Sequence, residues 1–318
     1  MKIVKYLALF RKQHGIDKPT NIKGIEEFFT KLKEGINNRD TLSLIIADYL
    51  ADIASEIKRK RKVTAREVED IIALALDGKI MDNESRKNEI GNKGSLISPG
   101  IDKYIYSNRR EKMDIFFDAN FGVSLKTSMP GNMEINMGSF AREALFAGFL
   151  TKEEYGGERK GGLGSKPQIR AVFEKIKSKE KWGGFIERFG IMVKNIYEDD
   201  MILVIKGGQY LDIFFIPKES LQGVLIGAVN GGPETAVDVI NRYEGNSIRV
   251  ERDKISRVGR RIRLDFSVLK NSKIKKVLSR LEDIEEKTLD SLVSGNVREF
   301  EKFIPQAVQL LIADMKSD

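Results

Sequence analysis

Two apolar hairpins set among helical segments limit what this chain can fold into. The clearer one is Met201–Ile216, where Met201-Ile202-Leu203-Val204-Ile205 and Tyr210-Leu211-Asp212-Ile213-Phe214-Phe215-Ile216 flank Gly207-Gly208. Strand-like runs around a Gly-Gly turn read as a hairpin. The other is Lys112–Thr127, which reads as two strands around a tight Asp118-Ala119-Asn120-Phe121-Gly122 turn. Two further strands are expected at Ser247–Arg252 and Arg261–Val268. Phe116, Phe117, Phe214 and Phe215 are expected to be core aromatics.

The flanks are helical. Residues 1–80 carry helical spacing at Ile25–Leu32 and at Leu44–Ile53, the latter capped by Asp40. Thr64-Ala65-Arg66-Glu67 is a capping box, and Asp77-Gly78 closes the helix it opens. Residues 81–106 are polar and Gly-rich, as a loop or domain junction is. Helices are expected at 140–150, at Ile169–Lys181 and in the tail from Lys276 to Met315, and Gly156–Gln168 reads as a flexible basic loop. The organisation expected is a helical region (1–80), a core (81–230), and basic strands and C-terminal helices packed on that core (231–318).

Composition removes many chemistries. The 318 residues are 41% hydrophobic and 32% charged, enough for one large core or two domains. There is no Cys and one His, His14. Disulfides, thiolate metal sites and Cys nucleophiles are therefore excluded, and histidine triads nearly so. Catalysis would have to run on carboxylates, Lys, Tyr, Ser or Thr, a palette that suits hard metals such as Mg²⁺. No apolar run approaches the roughly 18 residues that span a bilayer. Met1–Phe10 reads as an amphipathic first helix rather than a signal peptide, because Lys5 breaks it and Arg11-Lys12 follows. A cytoplasmic protein without membrane attachment is expected.

The net charge of +8 and pI near 9.3 favour a polyanionic partner. The positive charge is concentrated at Lys58–Lys62, in the Gly156–Lys166 loop and above all between Arg249 and Arg280. Arg257, Arg260 and Arg261 flank Gly259 at a turn tip, where they could reach a groove. Lys160, Lys166 and Arg142 are further candidate contacts. A charge run is also the ordinary composition of a solvated face. The Gly-rich loop is not a P-loop, since Pro167 follows Lys166.

Strand alternation puts Ser124 and Lys126 on one face of the return strand, and a three-residue turn would set Asp114 opposite Lys126. Cross-strand Asp–Lys pairs are common surface features worth little. A carboxylate and an amine at a sheet edge also suit holding a divalent metal and a water near a phosphate. Asp212 lacks a following x-Lys at hairpin distance and reads as a structural or edge carboxylate.

This Asp…Ser-x-Lys pattern resembles the active-site hairpin of the PD-(D/E)XK nuclease superfamily. Its context from Arg86 to Glu143 looks like a type II restriction endonuclease. The resemblance implies an α/β fold with a restriction-endonuclease-like core, a mixed β-sheet flanked by helices. It implies Mg²⁺-dependent, site-specific hydrolysis of double-stranded DNA by a homodimer, with a cognate DNA methyltransferase in the same system. Asp114 matches the first metal-binding acid and Lys126 the motif lysine, while Ser124 stands where the family usually has Asp or Glu. One branch of restriction enzymes supplies that acid from the next helix. Glu143 is the matching candidate and, with Asp114, the implied metal ligand; Glu134 and Glu89 are the alternatives. The rival readings are a non-enzymatic basic DNA-binding or phage-type structural protein, and an RNA-binding or RNA-processing protein. The expected burial of the Phe pairs counts against the RNA reading.

Overall fold

The computed structural model describes residues 2–55, 57–58, 61–62, 65–80, 113–118, 121–139, 142–156, 163–244, 247–295 and 300–317. Its centre is a six-stranded mixed sheet in the order β11-β8-β7-β5-β4-β3. These strands are β3 (Lys79–Ile80), β4 (Ile115–Asp118), β5 (Phe121–Ser128), β7 (Asp200–Lys206), β8 (Tyr210–Ile216) and β11 (Arg260–Asp265). β5 and β7 pair parallel and every other neighbour antiparallel. A second, three-stranded antiparallel sheet joins β6 (Glu134–Ser139), β10 (Ser247–Glu251) and β9 (Ile240–Glu244). Of the Lys58–Lys62 run, Lys58, Arg61 and Lys62 lie on a two-residue strand pair, β1 (Ile57–Lys58) with β2 (Arg61–Lys62), and the residues between lie outside the described ones. The fold is α/β, as expected, with helices flanking both sheets.

Alternation along the central strands sends apolar side chains both ways. On one face Ile115, Phe117, Val123, Leu125, Ile202, Val204, Ile213, Phe215, Ile262 and Leu264 share a core with the N- and C-terminal helices. On the other, Met201, Leu203, Ile205 and Ile216 join Phe173, Phe185 and Phe189 of helices Lys166–Ser178 and Trp182–Ile196. β7 is thus buried from both sides, which explains its apolar run Met201–Ile205. Phe117 and Phe215 are buried as expected; Phe116 and Phe214, pointing the other way, are only partly so.

The first layer is built from both ends of the chain. Asn21 caps helix Ile22–Asn37, and Asp40 caps helix Thr41–Ala54 by accepting from Ser43 N at 2.9 Å. Tyr6 of helix Lys2–His14 donates to Leu281 O (3.1 Å), and Arg39 donates to Met315 O (2.8 Å). The helical tail is three helices, Ser272–Glu282, Glu286–Ser294 and Gln306–Lys316. No helix among the described residues is long and apolar enough to cross a membrane.

Local expectations need correction, among them the helix at 140–150, which is described only as Arg142–Phe146 before a turn. The helix predicted from Ile169 starts at Lys166, because Pro167 fits a first helical turn. The predicted turn at Asp118–Gly122 is shorter: β4 runs to Asp118 and β5 begins at Phe121. Ile115 pairs with Val123, so Asp114 lies across from Ser124 and diagonal to Lys126, not opposite Lys126. A register shift between Phe116 and Asp118 also breaks strict alternation along β4.

Gly122 allows this hairpin to close. A Cβ there would overlap Met113 Sδ and come within 2.8 Å of Ile115 O. Gly122→Ala is expected to destabilise the protein by about 1–3 kcal/mol, the usual cost of overpacking, measured by denaturant unfolding. Adding Met113→Ala should recover only part of the loss, since the carbonyl remains in the way.

Candidate active site

Asp114 sits just before β4, and its N–H donates to Val123 O at 2.9 Å. Its carboxylate continues the ladder past the strand's first residue: Oδ2 accepts from Leu125 N–H at 2.7 Å. The same oxygen accepts from Ser124 Oγ (3.1 Å) and Lys126 Nζ (3.1 Å). Lys126 Nζ also donates to Leu125 O (3.1 Å). The Asp114 and Lys126 side chains are 18% and 22% exposed, so the cluster is partly buried yet open to a solute. Asp114, Ser124 and Lys126 therefore meet at one point on the second face of the sheet. A carboxylate, a hydroxyl and an ammonium gathered there offer oxygen donors for a hard cation and a charged donor for a phosphate oxygen.

The other candidate acids have different partners. Glu143 opens the short helix Arg142–Phe146 and pairs with Lys152 at 3.5 Å, both well exposed. Glu134, on β6 in the second sheet, takes Arg242 Nε and Nη2 at 2.9 Å each. Glu89 lies outside the described residues, as does Lys160. Among the described residues no group of three or more His, Asp or Glu side chains is arranged to hold a metal. His14 packs against Phe10, ring centroids 4.4 Å apart, in the N-terminal helical layer.

The basic candidates also separate. Arg142 is buried, its Nη1 donating to Gly156 O, which makes it a support for its own turn rather than a surface contact. Arg260 pairs with Glu26 at 2.7 Å. Lys166 is exposed in the first turn of its helix, and Arg257 is exposed just past helix Arg252–Ser256. Arg261 joins Arg263 in gripping Asp212, a buried carboxylate on β8. Arg261 donates to Asp212 through Nε (2.8 Å) and Nη2 (2.9 Å), and Arg263 through Nε (2.8 Å) and Nη2 (2.7 Å).

Sequence reading does not single out Arg263, although its i, i+2 spacing from Arg261 on a strand puts both on one face. Arg252 has no such signal. It is buried, and its Nη1 donates to Met129 O and Pro130 O, both at 2.9 Å. It thereby pins the loop that leaves β5 two residues beyond Lys126.

Comparison with known proteins finds no match: no family model, curated protein or solved structure is significantly similar to this chain.

Burial raises the pKa of Asp212, but hydrogen bonds from Arg263 and Arg261 and their charges outweigh it, so the net shift is downward from 3.8. A carboxylate with a lowered folded pKa stabilises fully above its ordinary value and loses that contribution as pH falls through the folded one. Asp212→Asn should therefore lower the melting temperature at neutral pH. The gap from the parent should narrow as the pH is taken below about 4; a gap independent of pH would show that the charge of Asp212 contributes nothing.

Proposed function

We propose that this protein is a Mg²⁺-dependent endonuclease that cuts double-stranded DNA at specific sites, on a restriction-endonuclease-like core. The observation that carries the reading is the meeting of Lys126 Nζ with Asp114 Oδ2 at 3.1 Å, from adjacent strands of a mixed sheet, at a solvent-reachable point. Hydrolysing a phosphodiester needs a polarised phosphate, an oriented water and relief of charge on the leaving oxygen. Mg²⁺ is commonly held by one or two carboxylates together with waters and substrate phosphates. Asp114 supplies one such carboxylate with the Ser124 hydroxyl beside it, so the residues fit the ion in kind. The bound ion would supply Lewis acidity at the phosphate. Lys126 would orient the attacking water and steady charge on the phosphoryl oxygens. Its hydrogen bond to Asp114 fixes the ammonium beside the metal-binding carboxylate. The second acid in this reading is Glu143, released from Lys152, with Glu134 and Glu89 as alternatives.

A second reading, a non-enzymatic DNA-binding protein, is favoured by one observation. Asp114 Oδ2 already accepts three donors and completes the β4–β5 ladder, which is a sufficient structural role.

Incubation of the protein with plasmid DNA, with Mg²⁺ or with chelator, separates the two. Discrete Mg²⁺-dependent fragments support the nuclease, and a mobility shift without cutting supports the second reading. For the nuclease, Asp114→Ala and Lys126→Ala should each lower cleavage at least ~100-fold while DNA affinity stays near the parent's, because both act on the transition state. Glu143→Ala should be as damaging as Asp114→Ala, and Ser124→Ala mild. Full activity in Glu143→Ala with loss in Glu134→Ala or Glu89→Ala would move the second acid to that residue.

A further inference from the structure

The Arg261–Asp212–Arg263 cluster contains more cation than its carboxylate requires. One guanidinium satisfies a carboxylate with two parallel hydrogen bonds; here two guanidiniums do so on the same pair of oxygens. The Asp212 side chain is 7% exposed, whereas those of Arg261 and Arg263 are 46% and 43% exposed. Each arginine spends its Nε and Nη2 on Asp212, which leaves further N–H groups on a half-exposed guanidinium. Aromatic rings back both: Arg263 lies 4.0 Å from the Tyr210 ring centroid and Arg261 5.9 Å from that of Phe214. Asp265 and Lys270 complete the charge nearby, the first bound to Ser267 N–H and the second to Gln209 Oε1. Arg261, Arg263 and Lys270 thus stand against Asp212 and Asp265 at the β11 margin of the sheet.

A single ion pair would suffice to fix β11. A doubled, aromatic-backed pair has a further property: its guanidiniums are held before any ligand arrives, so binding an oxyanion costs little side-chain entropy. We propose that Arg261 and Arg263 form a preorganised site for a phosphate group, and that its source is the backbone of the nucleic acid bound at the Asp114 site. This rests on the DNA reading of that site.

Register sets the two clusters on one face of the sheet. Lys126, Leu203, Phe214 and Arg261 lie in one row across β5, β7, β8 and β11, so the arginines share a sheet face with Asp114, Ser124 and Lys126. The row spans three strand spacings, about 14 Å of backbone, roughly the rise of four nucleotides. Leu203 between them is buried under the second layer, so a nucleic acid would meet the two clusters at the margins of that layer rather than along the row, with Arg263 rather than Arg260 as the second limb, since Arg260 is paired with Glu26.

The test measures binding of a labelled DNA duplex to the full chain in chelator, so that cleavage plays no part, across a salt titration. Arg263→Gln leaves Arg261 on Asp212 and should keep the fold, as a melting curve checks. It should weaken binding about 3–10-fold and reduce the salt slope by about one. The Arg261→Lys/Arg263→Lys double variant keeps the charge but loses the fork, and should also bind more weakly. Unchanged affinity and salt slope in Arg263→Gln would overturn the proposal, and parental affinity in the Lys double variant would reduce the fork to charge alone and overturn it too. Inorganic phosphate and a mononucleotide serve as competing probes. Saturable binding of either that is lost in Arg263→Gln, with DNA affinity unmoved, would keep a phosphate site but refute the backbone as its source. Fork-dependent binding without any Mg²⁺-dependent cutting by the parent would sink the nuclease reading alone.

Discussion

β7 has no polar face, and the architecture follows from that. Met201, Leu203 and Ile205 must be covered on one side, and Ile202 and Val204 on the other. A strand with that demand belongs at the centre of a sheet with a layer on each face, not at an edge or in a one-sided meander. Its parallel pairing with β5 needs a long crossover, and the segment between residues 128 and 200 supplies it, carrying β6 and the helices that cover the second face. The same crossover leaves β5 beside a strand buried on both faces, with Ser124 and Lys126 facing the second layer at a margin where water still reaches them.

The two polar clusters on that face are held in different ways. Asp114 is held by backbone and side chains together: a ladder N–H and two side chains from the neighbouring strand converge on one oxygen. Asp212 is held by side chains alone, and its cations come from the outer strand. The first arrangement fixes a carboxylate with a strand behind it, whereas the second fixes two guanidiniums with a carboxylate behind them. One is suited to present negative charge to a cation, the other positive charge to an anion.

Much of this was legible in the sequence, but unevenly. The Met201–Ile216 hairpin, the Asp40 cap and the proximity of Asp114, Ser124 and Lys126 all follow from short-range rules of alternation, turn and cap. The Asp114 register was off by two residues because it depends on the length of the turn and on a shift inside β4, which composition does not encode. β6 and β9 gave no clear strand signal: Asn136, Asn241 and Arg242 dilute their apolar pattern, and their pairing with β10 spans about a hundred residues for β6. Partner choice was the least legible. Glu134 with Arg242, Arg260 with Glu26 and the convergence of two arginines on Asp212 are made by tertiary contact between remote segments.

The first layer of the core also sets an order of events. Helix Lys2–His14 packs with residues of helices Ser272–Glu282 and Glu286–Ser294, through contacts such as Tyr6 with Leu281 and Lys5 with Asp290. On a ribosome helix Lys2–His14 therefore waits for helices beyond residue 270 before its apolar face is closed, whereas the second layer draws on chain made between them. A nascent chain halted near residue 265 would carry its second layer beside a bare patch of Ile, Leu and Phe, a surface of the kind holdase chaperones bind. Arrival of those distant helices, rather than any local signal, is what closes the first layer.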